Sequence, residues 1–196
     1  MSGPATPPPD WQPAIEALDA WAELTGREDG RARNADAPVP RAVADGGVVA
    51  LDEVTQRNVR TACRLAVAPL QRAFVAPNAV SLAEALVHPH AWYRLITADS
   101  VPVGFVQLSE DPAGGPDGGP EYYLWRLMIA DGLQGRGYGR SALALVVDHV
   151  RSLPGATELL VSWLPGDGSP EGFYLGLGFE KTGEMDGDEV LARLRL

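Results

Sequence analysis

The chain has 196 residues, 45% of them apolar and 21% charged, which suits one soluble domain with an extension and is too little for two full domains. Its net charge of −10 argues against a basic face that binds the nucleic-acid backbone, and suits a protein that draws cations towards itself. One cysteine, Cys63, leaves no internal disulfide and no thiolate metal site, and the scattered His88, His90 and His149 have no spacing that would cage a metal.

Residues 1–10 are proline-rich with little to bury and are expected to be disordered. Residues 14–26 (AIEALDAWAELTG) set Ile15, Leu18, Trp21 and Leu24 on one helical stripe, with Gly26 as a stop. That stripe leaves three uses open: docking on the main domain, forming a homodimer, or recruiting a partner. Residues 27–47 read as a polar linker, so the extension covers 1–47 and the main domain 48–196. No basic segment followed by an apolar run marks a secretory signal, and no run is long enough to span a bilayer. The expectation is a cytoplasmic protein with no membrane partner.

From Val48 the texture changes. VVALDEV (48–54) reads as a strand, and 55–70 as a helix with Val59, Cys63, Leu65 and Val67 partly on one side. Ser81, with Glu84 three residues on, has the form of a capping box opening a short helix through LAEALV. AWYRLITA (91–98) and VPVGFVQLSE (101–110) are strands joined by a turn at Asp99-Ser100. DPAGGPDGGP (111–120) is a flexible hairpin loop leading into a third strand, EYYLWRLMIA (121–130). A helix over about 137–152 is followed by a strand, TELLVSW, and by a short helix in SPEGFYLGLG with Pro170 near its N-terminus. FEKTGE and EVLARLRL are the last strands. The order β-α-α-β-β-β-α-β-α-β-β predicts an α/β (α+β) domain of about 150 residues.

Residues 133–142, LQGRGYGRSA, lie between an apolar strand and a helix. Backbone N–H groups point outward at such a helix start and attract anions, phosphate above all. Glycines let the chain turn tightly and let a ligand approach, and Arg136 and Arg140 add positive charge. A P-loop is excluded because its lysine is missing. Gly137, Gly139 and Ala142 meet a dinucleotide fingerprint on paper. The motif comes late, however, and the next strand, LLVSW, does not end in an acid. A glycine-rich turn with no ligand remains the plain alternative.

The spacing Gln134-x-x-Gly137-x-Gly139 resembles the Q/R-x-x-G-x-G/A acyl-CoA segment of the GNAT superfamily of N-acetyltransferases. The preceding LWRLMI and the later FYLGLGFEKTGE match as well, in the right order, over roughly residues 48–196. The resemblance implies a mixed, mostly antiparallel central sheet, splayed at the acyl-CoA site and flanked by helices. It implies acetyl transfer from acetyl-CoA to a primary amine by direct attack in a ternary complex, with no metal. Backbone N–H groups of Gly135, Arg136, Gly137, Tyr138, Gly139 and Arg140 would then hold the pyrophosphate of coenzyme A. The main chain at Met128 and Ile129 would pair with the pantetheine arm, and Tyr174 would protonate the departing thiolate. The sequence departs from the family at Asp167, where many members have an asparagine, and an ionised carboxylate cannot donate a hydrogen bond. Cys63 has no base near it in sequence, so nothing supports an acyl-enzyme.

On the acceptor side the base is expected to be Glu121 or an ordered water, with Tyr123 two residues on, on the same face. FVAPNAVSLAEA (74–85) falls where the family builds its acceptor site. Together with YLWRLMI and FYLGLGFEKTGE it is similar to the bacterial spermine/spermidine and diamine acetyltransferase branch. That likeness implies a small polycationic amine, with Asn78, Glu84 and Tyr123 at the substrate and Glu84, Glu110 and Asp111 as partners for distal ammonium groups. Two alternatives stay open: a protein amine as acceptor, and a non-catalytic acyl-CoA-binding sensor or interaction module. A tRNA acceptor conflicts with the net charge.

Overall fold

The computed structural model describes residues 47–196. The expectations for 1–10, for a helix over 14–26 and for the linker up to residue 46 lie outside the described residues. The elements, in chain order, are β1 (Val49–Asp52), α1 (Val59–Arg64), a 3-10 turn (Pro69–Gln71), α2 (Asn78–Val87), β2 (Ala91–Ala98), β3 (Val101–Asp111), β4 (Glu121–Ile129), α3 (Tyr138–Arg151), β5 (Glu158–Trp163), α4 (Glu171–Leu175), β6 (Glu180–Asp186) and β7 (Glu189–Arg195). They build one seven-stranded sheet in the order β1-β2-β3-β4-β5-β7-β6. All neighbours are antiparallel except β4 and β5, which are parallel. This is the expected mixed, mostly antiparallel sheet with flanking helices.

The long middle strands follow from their sequences. β-Branched and aromatic residues fill them, and the β2–β3 turn uses Asp99 and Ser100 at φ 49° and 66°, as a tight hairpin turn requires. Asp99 also accepts a hydrogen bond from the Val48 N–H through Oδ1, at 2.9 Å, which fixes the start of β1. β5 alternates cleanly, with Leu159, Val161 and Trp163 buried. α3 buries Ala142, Leu143, Val146, Val147 and Val150 at helical spacing. These side chains share a core with Val106 and Leu108 of β3 and Leu124 of β4, while Phe105, facing Met128, packs on the other side of the sheet.

Two local expectations fail for identifiable reasons. The helix expected over 55–70 is only Val59–Arg64, because Leu65 turns to extended backbone (φ −61°, ψ 126°). Beyond it Leu65 and Val67 are buried and Ala66 is exposed, the alternation of an extended segment. Pro69 then holds Ala68 out of the helical region. The second departure is at Ser81, which caps nothing. α2 opens at Asn78 behind Pro77, and the buried Ser81 hydroxyl turns back to the Pro77 carbonyl at 3.5 Å.

The register of β3 against β4 carries one irregularity. Gln107 faces Arg126 and Leu108 faces Leu124, so Trp125 has no partner and forms a β-bulge.

Candidate active site

β4 and β5 pair only at Tyr123↔Leu160 and Leu124↔Val161 and then diverge. Among the described residues, β4 beyond Leu124 therefore has an edge with no strand partner on the β5 side, and at its end the Ile129 carbonyl is taken by the Gln134 side chain at 2.8 Å. Main-chain groups along such an edge can take up a ligand arm as an added strand. The bulge sets Trp125 and Arg126 together on the face covered by α2. Trp125 packs on the His88 ring at 4.8 Å, and Arg126 Nη2 lies 3.5 Å from Glu84 Oε2. Met128 is buried on that face, its sulfur accepting from Asn78 Nδ2 at 3.7 Å.

At the end of β4 the chain enters the glycine turn. Gly135 and Gly137 have φ of 76° and 85°, conformations that side chains with a Cβ resist. Gly137 is the N-cap of the 14-residue α3, with no side-chain cap and no acidic residue in the first turn. The start of α3 is the positive end of its helix dipole and favours an anion. Among the described residues, a Cβ placed at Gly135 or Gly137 meets nothing within 4 Å, so they leave the outer side of the turn open. A Cβ at Gly139 would stand 3.4 Å from the Phe173 ring, and Phe173 in turn packs edge-on against Tyr174 at 5.2 Å. The two sequence motifs therefore meet in space.

The side chains of the turn divide their tasks. Gln134 Nε2 donates to the Ile129 carbonyl at 2.8 Å and to Gln71 Oε1 at 2.7 Å, so this amide closes the loop on itself. Arg136 Nη2 donates to the Gly132 carbonyl at 3.3 Å. The Tyr138 side chain is buried. Arg140 is exposed on the first turn of α3.

Tyr174 lies beneath the parting of the strands. Its ring is stacked on Trp163 at 5.5 Å and meets Phe179 edge-on at 5.4 Å. Burial, and secondarily the charge of Glu189, push its phenol up, so it keeps its proton at neutral pH.

Across the sheet stands a rim of carboxylates. Glu121, the first residue of β4, faces Asp111 of β3. Its carboxyl is held above the usual range by burial and by the charges of Asp111 and Asp186. The Tyr123 hydroxyl donates to Asp186 Oδ2 at 3.0 Å, and its phenol is likewise raised, chiefly by burial. Ser162 of β5 donates through Oγ to Glu189 Oε2. Asp186 and Glu189 face each other across the β6–β7 turn.

Some expected acceptor residues stand elsewhere. Asn78 is buried, and its Nδ2 donates to the Ala62 carbonyl at 2.8 Å, tying α2 to α1. Glu84 is engaged with Arg126. Glu110 lies on the opposite face of the sheet, where His149 of α3 reaches its Oε1 at 2.7 Å and stacks on Trp92. Asp167 is exposed in the loop between β5 and α4. Asp186, Glu189 and Ser162 were not singled out by sequence, because nothing in their local pattern ties β6, β7 or the end of β5 to β4. Among the described residues, no group of three or more His, Cys, Asp or Glu could hold a metal ion, and no helix is long and apolar enough to cross a membrane.

A helix start, left-handed glycines and a strand edge without a strand partner suit a ligand with phosphates at one end and amides along a thin arm. The family model described as acetyltransferase (GNAT) family matches residues 64–179. No curated protein matches the chain at a significant level. An acetyltransferase of Thermus thermophilus superposes with a TM-score of 0.59 at 20% identity, over 76% of this chain and 97% of that one. The PaiA N-acetyltransferase of Thermoplasma acidophilum, solved with coenzyme A, gives 0.57 at 16% identity, over 76% and 99%. The aminoglycoside acetyltransferase AAC(6′)-Ib, also solved with coenzyme A, gives 0.62 at 16% identity, over 76% and 95%. At these identities the likeness is one of fold.

Proposed function

The chain belongs to the GNAT family of acetyltransferases and is an acetyl-CoA-dependent N-acetyltransferase; we propose that its acceptor is a small polycationic amine of the spermine, spermidine or diamine kind. The observation that carries this is the acidic rim. Glu121 is held above its usual range by burial and then by Asp111 and Asp186, a crowding of negative charge that a bound ammonium relieves. The net charge of −10 draws the same class of molecule in. The aminoglycoside acetyltransferase named above offers a parallel of the same fold serving, by its name, a small amine-rich acceptor.

Bound acetyl-CoA supplies a thioester whose acetyl carbon is open to attack by an amine. The chain's own residues bind and orient it. The N–H groups from Gly135 to Arg140 take the pyrophosphate at the start of α3, and the exposed Arg140 adds charge there. The edge of β4 around Met128 and Ile129 pairs with the pantetheine amides, and the Ile129 carbonyl joins in where Gln134 releases it. Tyr174, kept protonated by burial, holds the proton for the leaving sulfur. Tyr123 and the rim position the amine.

The test is thiol release from acetyl-CoA across spermine, spermidine, short diamines, aminoglycosides, amino acids and peptides. Turnover led by the polyamines is the expected result. Turnover confined to peptides would replace this reading with a protein acceptor.

A further inference from the structure

An acceptor amine arrives as an ammonium ion and must lose a proton before it can attack. Glu121, expected from the sequence as the base alongside an ordered water, is three residues short of the last β4–β5 pair, at Leu124. That is about 10 Å along the strand. A different carboxylate stands where the strands part. Ser162 is the first β5 residue beyond the last pair, Leu124↔Val161. Its neighbour Trp163 faces Tyr174, so Ser162 points to the opposite face of β5, the side of Tyr123. Its hydroxyl is donated to Glu189 Oε2. Glu189 reaches this point because β7 runs antiparallel beside β5, with Ser162 facing Leu191 and Glu189 two residues back on the same face.

We infer that Glu189, acting through Ser162, receives the proton that the acceptor nitrogen must lose. The inference rests on the reading that this face of β4 and β5 is the acceptor side. Glu189 stands on the Tyr123 side of the sheet, held by Ser162 and paired across the β6–β7 turn with Asp186, which accepts from the Tyr123 hydroxyl. The groups on its side of the sheet are Ser162 of β5, Tyr123 of β4 and Asp186 of β6. Glu121 then belongs to the rim that holds a distal ammonium.

The proton balance closes. One proton leaves the ammonium for Ser162 Oγ as the Ser162 proton passes to Glu189 Oε2, which frees the nitrogen lone pair. That pair bonds the acetyl carbon, the C–S pair departs on sulfur with the Tyr174 phenol proton, and the second nitrogen proton restores Tyr174. Glu189 releases its proton to solvent.

The experiment compares Glu189→Gln, Glu189→Ala, Ser162→Ala and Glu121→Gln with the wild type on the best amine. A proton acceptor in this position contributes on the order of 10²–10⁴-fold to rate. Glu189→Gln should lose at least about 10²-fold in kcat, with the KM for acetyl-CoA within about twofold of wild type. Ser162→Ala should lose less, and added formate should restore part of the Glu189→Ala loss. Glu121→Gln should raise the KM for the amine more than it lowers kcat. An unchanged kcat in Glu189→Gln overturns the inference. So does a loss in Glu189→Ala that formate leaves untouched, since a merely structural carboxylate gives that result. If Glu189→Gln does not fold, Ser162→Ala against Ser162→Thr, which keeps the hydroxyl, decides the point. Wild-type turnover confined to peptides overturns the small-amine reading and leaves this inference standing. Silence on every amine overturns both.

Discussion

The indole of Trp163 lies nearly parallel to the phenol ring of Tyr174, with ring centroids 5.5 Å apart and planes 15° from each other. The indole is itself anchored, its Nε1 donating to Glu171 Oε2 at 3.2 Å, and Glu171 pairs with Lys181 at 2.7 Å. The phenol is therefore held by packing, and its hydroxyl can be removed without moving its ring. Tyr174→Phe is expected to fold as well as wild type, to bind acetyl-CoA with an unchanged affinity and to lose about 10–10²-fold in kcat. Steady-state kinetics with a thermal shift in acetyl-CoA checks this, and an unchanged kcat removes Tyr174 from the reaction.

Gly137→Val tests the anion site. At φ 85° a β-branched residue is strained by about 1–2 kcal/mol, and its side chain would project into the open space outside the turn. Acetyl-CoA affinity should fall by more than about 100-fold, a far larger change than such strain alone produces in a variant that remains folded. Isothermal titration on the folded variant measures it. Normal binding would place the pyrophosphate elsewhere.

The raised carboxyl of Glu121 makes a pH prediction of definite sign. Burial comes first among its causes, then Asp111 and Asp186. The folded protein holds this proton more tightly than the unfolded chain, whose carboxyl titrates near 4.5. Stability from this group is thus fully present below that value and is lost as pH rises through the higher folded value. At neutral pH the ionised Glu121 is a cost, so Glu121→Gln should melt higher than wild type. The gain should shrink as the pH is brought below about 4.5. Thermal melts of both proteins across pH 4 to 8 decide it, and a variant that melts lower at neutral pH contradicts the electrostatic account.

The same rim should be felt by the substrate. Asp186 accepts from Tyr123 and adds its charge beside Glu121. Asp186→Asn should raise the KM for a polyamine by about 3–10-fold, with the KM for acetyl-CoA unchanged, and the difference should narrow at high salt. The asparagine carbonyl can still accept from Tyr123, so a salt-independent effect would indicate a rearranged contact with Tyr123 instead of a lost field.

Much of this molecule is legible along the chain because its signals are local. The alternation in Glu158–Trp163, the turn at Asp99-Ser100 and the strand-glycine-helix sequence around Gly137 each act within about ten residues. The bulge at Trp125 is hidden in EYYLWRLMI because an apolar run reads the same with or without an inserted residue. Glu189 and Ser162 meet because β7 inserts between β5 and β6, so the order in the sheet departs from the order in the chain. No sequence period encodes that meeting. The stop of α1 at Arg64 is likewise a tertiary effect, since Leu65 and Val67 are buried as an extended segment while the Ala66 carbonyl accepts from the Asp131 N–H at 2.8 Å.

Asn78 shows how position in a motif and position in space separate, and it supplies the last prediction. It lies in the segment expected to touch the acceptor, yet it is 2% exposed and gives its amide to the Ala62 carbonyl at 2.8 Å. A second, longer contact runs to the Leu65 carbonyl at 3.4 Å, where α1 ends. These carbonyls at the end of α1 lack the next helical turn that would satisfy them, so the Asn78 amide stands in for it. Asn78→Leu keeps the branched shape, though with more bulk, and removes the donors, leaving buried acceptors unmet. It should cost about 1–3 kcal/mol of stability. It should leave the KM of the folded enzyme for its amine within about twofold of wild type, because the amide points into the protein. Urea melts and kinetics below the melting range measure the two effects separately. A rise in the amine KM with unchanged stability would instead give Asn78 the direct contact with substrate that its place in the sequence suggests.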